Sequence, residues 1–125
     1  MLSLTLNGST MATSKQVVID TNVLVALVDA CDTLHTHAQA LGEALVARES
    51  LLVYYDVIIN EAISVLARRA QEQRRTHQFT DLLDGLLHQV PTEVIVWLSS
   101  ETPRLYSQVI DLVRTTSGAF TFMTP

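Results

Sequence analysis

Asp20 and Glu61 are the side chains of this sequence best placed to do chemistry. Asp20 closes the apolar run Val17-Val18-Ile19 and is followed by Thr21-Asn22 and a second apolar stretch, Val23 to Val28. An apolar run that stops at a polar triplet and then resumes reads as a buried, parallel-type strand feeding a helix. The carboxylate then lies at the strand's C-terminal edge, where ligands bind in open α/β sheets. Asp, Thr and Asn are also good N-caps, so the same triplet could instead satisfy the first amides of the helix. Glu61 follows a second junction of this kind. Leu51 to Tyr55 reads as a strand, Asp56 as the cap of the next helix, and Glu61 falls in that helix's second turn. An acid so near a helix start also complements the helix dipole.

The helix that carries Glu61 must hold it in place. Ile58, Ala62, Val65 and Leu66 recur at helical spacing as an apolar stripe, with Glu61, Ser64 and Arg68 on a neighbouring polar one. Further along, His35 to about Glu49 reads as a helix, Thr76 to His88 as another, and Glu93 to Leu98 as a third strand. Thr102-Pro103 opens a last helix that runs to about Thr116. Helices alternating with strands predict an α/β fold, a parallel sheet with helices on both faces.

The combined string Val17-Val18-Ile19-Asp20-Thr21-Asn22, then Asp56-Val57-Ile58-Ile59-Asn60-Glu61 with Val65-Leu66-Ala67-Arg68-Arg69, resembles the start of a PIN domain. Within that family it looks most like the VapC-like toxin ribonucleases of bacterial type II toxin-antitoxin pairs, and the resemblance covers about Lys15 to Ala119. It implies a three-layer α/β/α fold and a cytoplasmic metal-dependent endoribonuclease in which several acids converge on Mg²⁺ or Mn²⁺. By this resemblance Asp20 is the first metal ligand, Glu61 the second acid, and Asn22 the polar residue beside the first. The chemistry is consistent, because Mg²⁺ is a hard ion that takes oxygen ligands, and a held ion polarises a phosphoryl oxygen and lowers the pKa of bound water.

The family's remaining acids lie beyond the last helix, in a segment of the form Phe-x-Asp-Ala-Leu-Ile and in a later strand. Here no acid follows Asp111. Asp111 itself sits mid-helix among Val109, Ile110, Leu112 and Val113, where a solvated helix face is the expectation. A family-like continuation Asn-Phe-His-Asp-Ala-Leu-Ile, written AAC TTT CAT GAC GCC CTG ATC, becomes Thr-Phe-Met-Thr-Pro-stop when its first base is dropped. Those are Thr121 to Pro125. The expectation is therefore a PIN-like domain over 15–125 that lacks the last helix and strands through a frameshift and is weakly active or inactive. The alternative is a non-catalytic remnant that binds RNA, an antitoxin or a second copy of itself. Loss of the later strands would leave the strand ending at Asp20 as an open, aggregation-prone edge.

Composition bounds the rest. The chain has 125 residues, 48% of them hydrophobic, which suits one globular domain rather than a disordered chain. Residues 1–14 read as a flexible tail without signal-peptide features, and Met11 is an alternative start. Cys31 is the only cysteine, so it is expected to be a buried, inert thiol. The longest apolar stretch, Val23 to Val28, is far short of a membrane span. A net charge of −5 argues against broad electrostatic affinity for nucleic acid. Yet Arg68, Arg69, Arg74 and Arg75 are half of the eight basic residues. They could contact RNA, or simply complement a helix C-terminus and stay solvated. His35 and His37 are two apart and fall on different helix faces, and His77 and His88 are isolated, so surface or helix-end roles are expected. Phe79, Trp97 and Tyr106 should pack in the core or at its rim.

Overall fold

A computed structural model describes residues 2–6, 15–98 and 102–118. Strand β1 spans Leu2–Leu6 and β2 spans Lys15–Ile19. Helices α1 (Thr21–Val28) and α2 (His35–Ala47) follow, then β3 (Leu51–Tyr55) and α3 (Asp56–Glu72). After a short 3₁₀ turn come α4 (Phe79–Gln89), β4 (Ile95–Val96) and α5 (Thr102–Thr115). β2, β3 and β4 form a parallel sheet flanked by helices in a three-layer α/β/α arrangement, with Gln16 opposite Leu51 and Tyr54 opposite Ile95.

The sequence dictates this locally. β2 and β3 are rich in β-branched and aromatic residues, which suit a pleated surface covered on both faces. α1 buries Thr21, Leu24, Val25 and Ala26. α3 buries Ile59, Ala62, Ile63, Leu66 and Ala70, the i, i+3, i+4, i+7 spacing of a core-facing stripe. That stripe is rotated from the expected one: Ile58 and Val65 lie at its partly buried margin, and Ile59 and Ile63 take its centre. Phe79, Leu83 and Leu86 of α4 and Ile110 and Val113 of α5 complete the core. Trp97 meets Tyr106 edge to face, with ring centroids 5.2 Å apart, at the rim. Asp111 is exposed, as its mid-helix position predicts.

Three expectations are corrected. The tail expected over residues 1–14 gives way at Leu2–Leu6 to a strand that pairs antiparallel with β2, Leu2 opposite Ile19 and Leu6 opposite Lys15. β2 is consequently an interior strand of the order β1-β2-β3-β4, not an open edge. Cys31 is exposed rather than buried, because it lies in the α1–α2 turn, where its N–H donates to Asp29. The segment Thr121 to Pro125 lies outside the described residues. Among the described residues no helix is long and apolar enough to cross a membrane.

Candidate functional site

Asp20 takes the N-cap position of α1 with extended backbone, φ −86° and ψ 159°, and its carbonyl accepts the first helical bond from Leu24 N–H at 3.1 Å. Its side chain makes no hydrogen bond of the usual N-cap kind, but its carboxylate accepts from the Thr21 backbone N–H, the first amide of α1. Thr21 is buried, and its hydroxyl donates to Glu61 Oε1 at 2.5 Å across forty positions of chain. Glu61 itself is exposed. The C-terminal end of β2 and the second turn of α3 are therefore joined at the residue that follows Asp20. Thr21 is the contribution that sequence reasoning missed. Its signal was its place between Asp20 and Asn22, but only the packing of α1 on α3 reveals its partner.

Asn22 lies one step further round α1 and is exposed; with Val23, Ala26, Leu34 and His37 it lines a shallow apolar groove between α1 and α2. Asp56, the first residue of α3, is 2% exposed. Its carboxylate accepts from Val57 N–H at 2.9 Å and from Leu98 N–H at 3.2 Å, tying the end of β4 to the start of α3. Among the described residues no three His, Cys, Asp or Glu side chains come together as a ready metal cage.

The arginine cluster divides in two. Arg75 donates to Asp29 at 3.0 Å, and Arg69 reaches Asp32 at 2.7 Å and Asp29 at 3.4 Å. Burial pushes the Asp29 carboxyl up, but hydrogen bonds and charge from Arg75, the Cys31 amide and Arg69 outweigh it and hold it below the usual carboxylate range. Asp32 is lowered in the same way: burial opposes, while Arg69 and the Leu34 amide prevail. Arg68 and Arg74 are exposed. His35 sits at the start of α2 with its Nδ1 2.6 Å from the Ala26 carbonyl, and His37 and His77 are exposed. No protein-family model, curated protein or solved structure matches the chain.

Proposed function

We propose that this is a PIN-like ribonuclease in which Asp20, Thr21 and Glu61 form the protein side of a Mg²⁺ or Mn²⁺ site for RNA phosphodiester hydrolysis. The observation that supports it is the Thr21–Glu61 hydrogen bond, which draws the acid of α3 to the C-terminal edge of the parallel sheet beside Asp20. The donors at that edge, two carboxylates and a hydroxyl, are hard oxygens of the kind these ions take. When bound, the ion supplies an activated water and polarises the phosphoryl oxygen. The chain's own residues do the positioning. Thr21, locked by burial, orients the Glu61 carboxylate, and the N-terminus of α1 places a partial positive charge where a phosphate would lie.

One observation favours a second reading, a protein that binds RNA, an antitoxin or a second copy of itself without cutting. Arg69 and Arg75 are already paired with Asp29 and Asp32, which takes them away from a phosphate backbone, so within this reading a protein partner is favoured over RNA. The deciding experiment follows Mn²⁺ binding by calorimetry and cleavage of a generic single-stranded RNA, for the unmodified chain and for Asp20→Asn, Glu61→Gln and Thr21→Val. The ribonuclease reading expects metal-dependent cleavage that disappears in the two acid variants and weakens about tenfold in Thr21→Val, as for a residue that orients a ligand. Metal binding lost in Asp20→Asn with no cleavage by the unmodified chain supports the second reading. Cleavage at equal rates with and without Asp20 sinks the assignment.

A further inference from the structure

The side of β2 away from β3 is covered by β1 alone, through five residue pairs from Leu2–Ile19 to Leu6–Lys15. β1 packs on β2 and on no other element to a comparable extent, and eight residues, 7–14, connect the two strands. A strand held by one neighbour and a short ladder is released at far lower cost than the fold as a whole. Beneath it lies Lys15-Gln16-Val17-Val18-Ile19, with three consecutive β-branched residues, no proline and a single charge. Such an edge, once uncovered, is a template for pairing.

We propose that the β2 edge is a self-association surface that β1 closes, and that loss of β1 lets two copies pair β2 against β2 about a two-fold axis. The direction of β1 carries the argument. This edge accepts an antiparallel strand, and a two-fold axis perpendicular to the sheet makes two copies of one strand antiparallel. A pair centred on Val17 sets Lys15 of each copy opposite Ile19 of the other, so the lone charge falls at the ends of the ladder. The contact is isologous and closes at the dimer. β1 thus acts as a built-in competitor for the partner's strand.

The test compares the molecular mass in solution, by light scattering at matched concentration, of three proteins: the intact chain, a variant lacking residues 2–6, and Leu4→Pro. Leu4 pairs with Val17 at the middle of the ladder, and proline is poorly tolerated inside a paired strand. The expected result is a monomeric intact chain, a doubled mass for both variants, and return to monomer when the peptide Leu-Ser-Leu-Thr-Leu is added. Folded variants that remain monomeric, or an intact chain that dimerises equally, overturn the proposal; open-ended polymers overturn the two-fold pairing. Should the variants not fold, amide exchange in the intact chain decides. β1 amides exchanging about 100-fold faster than those of β3 support a detachable strand, as expected for local against global opening. Equal protection of the two strands rejects it.

Discussion

Asp29 carries more of the fold than either candidate site acid. It is 1% exposed and accepts from two guanidiniums and a backbone amide, joining the end of α1 to the end of α3 and the turn beyond it. Asp29→Asn keeps the shape but leaves Arg75, itself largely buried, facing a neutral amide. Breaking one side of a buried pair costs about 3 kcal/mol, so a clear fall in the denaturation midpoint at neutral pH is expected. The sign with pH follows from the lowered carboxyl. Its folded value lies below the ordinary 3.8, so the stabilisation is complete above that value and is lost as pH falls through the folded one. The gap in midpoint between the unmodified chain and Asp29→Asn should therefore close as pH falls below the ordinary 3.8. A gap that stays constant as pH falls would show that the charge of Asp29 is not what stabilises. This network was legible in the sequence only as an arginine cluster, because the acids that answer it lie some forty residues earlier and meet it only through packing.

Element ends show a common device. α2, α3 and α5 each finish in a Schellman motif: Ser50, Arg75 and Gly118 donate back to Leu45, Ala70 and Val113, with Glu49, Arg74 and Ser117 in the left-handed region. Arg74, at φ 55°, holds a conformation that glycine adopts without strain, so Arg74→Gly should raise stability by about 0.5 kcal/mol in chemical denaturation. Gly118 is the opposite case. At φ 86°, a Cβ there would sit 2.8 Å from the Ala67 Cβ and 3.2 Å from the Phe79 ring, both in the core. Gly118→Ala should therefore cost about 2 kcal/mol, and a neutral result would mean that α5 shifts to make room. The helices and inner strands were legible because each is an apolar run with its own period, and the Asp20 junction because polarity changes abruptly there. β1 was not legible. Five residues with two hydroxyls signal a strand only when a partner edge is waiting, and that edge is a property of the assembled sheet. The rotation of the α3 stripe escaped for a related reason: Ile58, Ile59, Ile63 and Val65 are all apolar, so which of them face the core is settled by the packing of α1 and α4.

Charge is read best over the whole molecule. A net −5 would repel a polyanion, and the question is how many of the clustered arginines remain to oppose it. Arg69 and Arg75 are neutralised by Asp32 and Asp29, whereas Arg68 and Arg74 project into solvent. Single-stranded RNA releases counterions in proportion to the cations that replace them, with a slope of about −0.7 per contact in log K against log salt. If the cluster meets RNA through its two exposed members, the slope is about −1.4; if all four engage, it is about −2.8. The shallower value is expected, since engaging Arg69 and Arg75 would strip Asp29 of its partners and carry the cost just described for breaking that pair. Fluorescence anisotropy of a labelled oligoribonucleotide, titrated from low to moderate salt, measures it. A slope near the steeper value, together with a loss of stability when RNA binds, would mean that the network opens on RNA. The Asp29–Arg75 pair would then be a latch on the RNA surface rather than a fixed part of the fold.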